Sequence, residues 1–265
     1  MNPPLTSLIT LTTDFGTGSP YVAQMKAAIL CVNPRATIVD VTHAVAPQDV
    51  WHGAVVLEEV TPRFPPGTIH VAVVDPTVGT GRRIVLARFG EQTYVAPDNG
   101  LLGELDRRGP PELLFELTER RFWAPEVSPT FHGRDIMAPV AGHLSLGIDP
   151  RQLGQPLEKL TPRPSIQPVV SVRGIVGTIR SIDSFGNLTT DITAEMLRQA
   201  VGDAHLEIRC GETTISGHSL TYADVSPLEA VAIIGSGGRL ELAVRGGNAA
   251  RRWQAGVGQR VEVRW

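Results

Sequence analysis

Three side chains of this sequence have the types needed to manage a single water molecule: the carboxylate of Asp75, the guanidinium of Arg82 and the imidazole of His132. Brought together, they would orient a water, favour its anionic form and take its proton. Asp75 and Arg82 bracket the glycine-containing loop of VVDPTVGTGR, and His132 comes from PTFHGRDIMAP, far along the chain. Each has an ordinary reading when taken alone. An Asp at a strand end caps a turn, a lone Arg is a solvated surface charge, and a lone His is a satisfied core or surface group. A second carboxylate, Asp14 of LITLTTDFGTGSPY, stands in the same local setting, just after an apolar run and just before glycines.

That setting requires a sheet. Residues 69–74 are nearly all apolar, as in a strand covered on both faces, which delivers Asp75 to the carboxyl edge where open α/β sheets bind ligands. Residues 8–12 do the same for Asp14, so two carboxylates on one rim predict one site. The first 150 or so residues alternate short apolar strands with helical patterns, as α/β domains with a mainly parallel sheet do. Ser19 and Pro20 read as the cap and first-turn proline of a helix to Cys31, with Val22, Met25, Ile29 and Leu30 on its buried stripe. A strand over 37–41 leads to a helix over 48–60 that ends before Pro62 and Pro65. Strands over 84–89 and 93–96 and a helix over 133–146 complete the domain.

The segment PLEKLTPRPSIQP, from Pro156 to Pro168, carries four prolines and no regular period. Residues 157–168 therefore read as a linker between an N-terminal domain, 1–156, and a C-terminal one, 169–265. Beyond it, strand-like runs at 169–182, 206–210, 231–234, 240–244 and 260–264, with one helix over 193–200 capped by Thr193, predict a smaller, mainly β, barrel-like domain. Its IDSFGNLTTDI segment reads locally as a β-turn. The same residues offer a ring to stack on, Phe185, an amide to read a heterocycle edge, Asn187, and a carboxylate for an ammonium, Asp183. Backbone amides at Ser236 and Gly237 could hold a carboxylate, and Asn248 marks a helix start.

Composition narrows the partners. With 24 basic against 27 acidic residues, a net charge of -3 and no long run of either sign, there is no electrostatic footprint for nucleic acid or an anionic membrane. No apolar run approaches membrane-spanning length, and the N-terminal MNPPLTSLITLTTD has no basic region before its short apolar stretch, so a soluble cytoplasmic protein is expected. Cys31 and Cys210 show neither ligand spacing nor a disulfide framework. Asp40, His43, Asp49 and His52 fall within a short span but match no zinc pattern, and a helix start with Asp at its positive end explains them better. GTGRR lacks the Lys-Ser/Thr ending of a phosphate loop, and GTGSPY lacks the dinucleotide spacing. No metal and no cofactor are expected, and the partner is a small molecule.

Taken together, TLTTDFG, DVTHAVAPQDV, VVDPTVGTGRR, APDNGLL, TFHGRDIMAP, IDSFGNLTTDI and the closing GSGGRLELAV and GGNAA resemble the S-adenosylmethionine hydrolases, or SAM hydroxide adenosyltransferases, relatives of the adenosyl fluorinase and chlorinase. The resemblance implies a water-activating trio on Asp75, Arg82 and His132 and ribose binding by Asp14. It further implies methionine binding by Asp183 and the Ser236–Gly237 region, and adenine binding by Phe185, Asn187 and the backbone of Asn248, Ala249 and Ala250. It implies a homotrimer with sites at subunit interfaces. Two positions depart from the pattern: Gln48, where relatives often carry an aromatic residue, and Thr77, where they commonly have Gly. Halogenating relatives have tyrosine in place of Asp75, so the expected reaction is hydrolysis of S-adenosylmethionine to adenosine and methionine. An adenosyl halogenase, a non-catalytic adenosine or S-adenosylmethionine sensor and, last, a metal-dependent hydrolase are the alternatives.

Overall fold

A computed structural model describes residues 7–162, 167–201 and 206–265. The chain divides into two compact units, Met1–Arg163 and Pro164–Trp265. Residues 163–166 of the proline-rich stretch lie outside the described residues. The part of it before them is anchored to the first unit: Leu160 is buried in that core and Thr161 donates its backbone N–H to Asp98.

The first unit runs β1 (Leu8–Thr13), α1 (Tyr21–Val32), β2 (Thr37–Thr42), α2 (Val50–Val60), β3 (Ile69–Val73), β4 (Ile84–Phe89), β5 (Gln92–Pro97), α3 (Gly103–Asp106), β6 (Leu113–Leu117), α4 (Ala138–Ser145) and β7 (Gly154–Pro156). Its seven strands lie in the order β2-β1-β3-β5-β4-β6-β7. The sheet is mixed: β2, β1, β3 and β5 are mutually parallel, whereas β4, β6 and β7 add antiparallel partners. Alternation along the strands feeds two cores. Ile9, Leu11, Val71 and Val73 face Met25 and Ile29 of α1 and Val140 and Ala141 of α4. Ala72, Val74, Val85 and Tyr94 face Leu57 of α2 and Leu105 of α3. Every residue of β3 is buried, as a strand covered on both faces requires.

Two local expectations give way. Ser19 does not cap α1; its hydroxyl donates to the carbonyl of Phe15, and Pro20 occupies the cap position. Leu30 is 40% exposed, because the stripe carrying Met25 and Ile29 leaves the next residue about 100° round the helix. Helix α2 begins after Gln48, which has φ 64°, and is capped by Asp49 accepting from His52 N–H.

The second unit is almost all β: β8 (Val169–Ser171), β9 (Gly174–Ile182), β10 (Leu188–Thr193), α5 (Ala194–Val201), β11 (Glu207–Cys210), β12 (Thr213–Ser216), β13 (Ala230–Ile234), β14 (Arg239–Val244), α6 (Ala249–Trp253) and β15 (Arg260–Arg264). The apolar run 169–182 is a hairpin, not one strand, since β8 folds back antiparallel on β9. The strands follow the order β12-β11-β15-β9-β10-β14-β13, every pairing antiparallel, with β8 on β9. A bridge from Ser219 to Ile233 brings the ends of this path together, so the sheet is a nearly closed barrel. Its filling is the inward row of each strand, such as Val261 and Val263 with Glu262 between them facing out. Thr193 caps α5 by accepting from Met196 N–H.

Candidate active site

The rim of the parallel half positions the site. Thr13 pairs with Val73, so Asp14 and Asp75 leave neighbouring strands one and two residues later. Asn99 fixes the exit of β3 by donating its side-chain amide to the carbonyl of Val74 at 2.9 Å. The chain then turns through Pro76 to Gly79, whose φ of +82° suits glycine and whose absent Cβ would stand 2.7 Å from the carbonyl oxygen of Pro129. That close approach seats the 75–82 loop against the segment carrying His132. Gly133 does the same from the other side: a Cβ there would lie 3.3 Å from Val73, and the chain continues as a π-helical turn, Gly133–Met137, into α4.

These devices bring the trio together. Arg82 Nε donates to Asp75 Oδ1 at 2.9 Å and Oδ2 at 2.7 Å, and Nη2 also bonds Oδ2. The side chains are 7% and 4% exposed, so the pair is shielded from solvent. Nη2 is 3.0 Å from His132 Nδ1. A guanidinium only donates, so Nδ1 accepts and the ring proton sits on Nε2, an assignment by inference from partners. Desolvation first, and the Arg82 charge second, lower the pKa of His132 against the opposing fields of Asp75 and Asp135. Thr77 adds a hydroxyl donor to Asp75 Oδ1 at 3.1 Å. With Arg82 and Thr77 in place, both oxygens of Asp75 accept two donors.

Around the trio stand residues to which sequence reasoning gives no role. Asp135 is 3% exposed, binds Arg134 through both carboxylate oxygens and accepts from Ser128 N–H, fixing the 124–135 loop that ends beside His132. Asn99, Gly79 and Asp135 fall within recognisable motifs, but nothing local to them discloses what each one contacts. Asp14 Oδ2 accepts the backbone N–H of Gln48 at 2.7 Å, leaving Oδ1 for another donor. Phe15, Tyr21 and Phe131 pack edge to face, 5.2–5.7 Å between centroids, and tie the Asp14 loop to the residue before His132.

Within the second unit, the expected turn forms. Asp183 Oδ1 accepts from Phe185 N–H and Asn187 N–H, and Oδ2 from the Asn187 amide, so one lone pair stays open. The ring of Phe185 is 74% exposed. Gly186, φ +88°, packs on Asn248 so closely that a Cβ would lie 2.1 Å from its side chain, and its carbonyl accepts from Ala250 N–H. Asn248 caps α6 by accepting from Arg251 N–H. Ser236 and Gly237 form the β13–β14 turn, beneath which Glu241 reaches Gly235 and bonds the Tyr222 hydroxyl. Burial, then Glu241 and Asp183, raise the pKa of Tyr222, so these groups share one neighbourhood. Tyr222 and Glu241 lie in segments that, from sequence, read only as turn and strand.

The Asp40–His52 span serves the fold. His43 Nδ1 bonds Thr13 Oγ1 and Nε2 lies 3.1 Å from Asp40, while His52 Nδ1 accepts from Ala46 N–H. Among the described residues no three His, Cys, Asp or Glu side chains gather into a metal cage, and no helix is long and apolar enough to cross a membrane.

Comparison with known proteins follows the same division. The family model "SAM hydroxide adenosyltransferase N-terminal domain" matches residues 9–154, and that of its C-terminal domain matches 177–262. The chain is 39% identical to the (R)-S-adenosyl-L-methionine hydrolase of Thermus thermophilus, over 89% of this chain and 91% of that protein. It is 35% identical to the hydrolase of the same name from Salinispora tropica, over 97% and 98%. An uncharacterized conserved protein from Thermotoga maritima superposes with a TM-score of 0.90 at 33% identity, covering 97% of this chain and all of that one. The fold, the joined Asp-Arg-His rim and both matched halves place this chain in the SAM hydroxide adenosyltransferase family.

Proposed function

We propose that the protein is an S-adenosyl-L-methionine hydrolase, releasing adenosine and L-methionine by in-line attack of water at ribose C5′. The observation that carries this reading is the shielded Asp75–Arg82–His132 array on the strand rim. The reaction asks little else. The sulfonium leaves as a neutral thioether and needs no acid, so catalysis rests on placing and partly desolvating the nucleophile. No metal or cofactor takes part.

In this mechanism Asp75 holds Arg82 in place rather than taking the proton, because its lone pairs already accept from Arg82 and Thr77. The remaining Arg82 N–H donors and His132 Nε2–H grip the water oxygen and favour the charge that grows on it. Asp14 Oδ1 receives ribose hydroxyls. Phe185 stacks on adenine, Asn187 and the Asn248–Ala250 backbone read its edge, and Asp183 with the Ser236–Gly237 amides holds the methionine ends. A homotrimer with sites at subunit interfaces belongs to the same reading, and the mass in solution tests it.

Turnover in ¹⁸O-labelled water, with both products weighed, is the direct test. Label in adenosine is expected. Label in homoserine with methylthioadenosine as the second product, or no turnover, would overturn the reading, and 5′-chloroadenosine formed on adding chloride would replace it with a halogenase.

A further inference from the structure

A cavity of about 550 Å³ adjoins the trio on the side of Arg82 and His132, and Asp75 does not line it. Glu116, Arg120 and Trp123 contribute its other polar groups, among walls otherwise mostly apolar. Glu116 lies in β6, opposite Val85 of β4, three residues after Arg82. Among the described residues its carboxylate has no hydrogen-bond or ion-pair partner. Trp123 Nε1 is buried without a protein acceptor, although buried donors of this kind find one, from solvent where protein supplies none. The cavity is large and polar enough to hold several waters.

The proposed reaction gives this cavity a task. Hydrolysis forms an O–C5′ bond, breaks C5′–S with the electron pair going to sulfur, and sets free one proton from the attacking water. That proton arises beside two groups already engaged: Asp75 accepts from Arg82 and Thr77, and His132 Nδ1 accepts from Arg82. We propose that the cavity is a hydrated proton exit, leading from the Arg82–His132 side of the trio to Glu116, which accepts the proton and passes it to buffer. The proposal rests on the hydrolase reading above.

Chemical rescue tests it. Steady-state hydrolysis is measured for Glu116→Gln at constant pH and ionic strength, with formate or imidazole raised stepwise. Because Glu116 receives the proton through water and not from the reacting atoms, kcat falls roughly tenfold, less than the roughly 10²–10⁴-fold of losing a positioned base. KM stays unchanged, and rising buffer base restores kcat in the variant but not in the wild type. Wild-type kcat in Glu116→Gln, or a loss that buffer does not restore, overturns the proton exit while leaving the hydrolase reading intact. A wild-type enzyme that forms no adenosine overturns both. Should the substitution prevent folding, Val127→Phe narrows the cavity from a residue 39% exposed. A lower kcat at unchanged KM then supports the route, and wild-type turnover overturns it.

Discussion

Arg82 and Arg83 are consecutive, both precede β4, and each closes on an aspartate, yet the two pairs are built for different ends. Neighbouring residues of an extended chain point to opposite faces, so they enter different surroundings. Arg82 binds Asp75 and reaches an imidazole and a cavity. Arg83 binds Asp98, whose carboxylate also accepts the N–H and hydroxyl of Thr161, and it spans to the carbonyl of Lys159. The second pair is a clasp holding the segment after β7 onto the sheet. Pair chemistry alone therefore does not mark a site; the third partner does.

The sharpest way to break this contrast is Asp75→Asn. Without the anion that holds Arg82, the water's grip is misplaced, and kcat should fall about 10²–10³-fold, the worth of a preorganised donor aimed at the growing charge, with KM less affected. Adenosine formation measured against substrate concentration checks it. Turnover within a few fold of wild type would leave Arg82–Asp75 a clasp like its neighbour.

Acid distinguishes the site from the core that carries it. His70 is fully buried, accepts from Thr10 Oγ1 at Nδ1, donates to Gln92 from Nε2 and stacks on Tyr94. Burial pushes its pKa down to about 4 from 6.5, outweighing the Gln92 bond. The unfolded chain then binds this proton more readily than the folded one. Stability is whole above pH 6.5 and is lost as pH falls towards 4, by about 3 kcal/mol at 1.36 kcal/mol per unit. Urea unfolding at pH 7 and at pH 4.5 reads it, and His70→Gln should flatten the difference. His132 adds a separate loss below its lowered pKa, when Nδ1 gains a proton and no longer accepts from Arg82. In His70→Gln, where the acid loss of stability is flattened, activity that still disappears as pH falls belongs to His132.

How much of this is open to sequence reasoning follows from the range of each interaction. Strand β4 and helix α6's cap at Asn248 are set by neighbours in the chain, and expectation and structure agree there. They agree too on the apolar run that buries β3. Strands β6 and β12 escape a sequence reading because LLFEL and TTIS are short and sit among turn residues, and their pairing energy comes from β4 and β11. At the site, Asp75, Arg82 and His132 announce themselves by type and motif. Their meeting depends on Gly79 against Pro129 and Gly133 against Val73, contacts that no local pattern encodes. The clasp at Asp98 is equally hidden, since Thr161 lies in a stretch that reads as linker.

The clasp predicts a stability effect without a catalytic one. Asp98→Asn weakens its bond to Arg83 and turns an acceptor for the Thr161 N–H or hydroxyl into a donor, in a side chain 2% exposed. An unsatisfied buried group costs about 1–3 kcal/mol, and the exposed side of Arg83 places this case towards the lower end. Urea unfolding should show the loss, and kcat for adenosine formation should be unchanged. A variant that unfolds normally but turns over slowly would join the two pairs into one functional network.

The finest comparison uses the threonine that completes each pair. Thr77 gives its hydroxyl to Asp75 and Thr161 gives its hydroxyl to Asp98, at 3.1 and 2.9 Å. Thr→Val keeps the shape at each position and removes one hydrogen bond, worth about 0.5–1.5 kcal/mol. At Thr161 the loss should appear in urea unfolding and not in kcat. At Thr77, exposed and outside the core, it should appear in kcat as a change of less than about tenfold, because Asp75 keeps Arg82 but is less firmly aimed. Thr77→Gly separates the hydroxyl from the backbone: if both Thr77 variants match in kcat, the lost hydrogen bond accounts for the effect, and if only the glycine variant is slow, loop stiffness does.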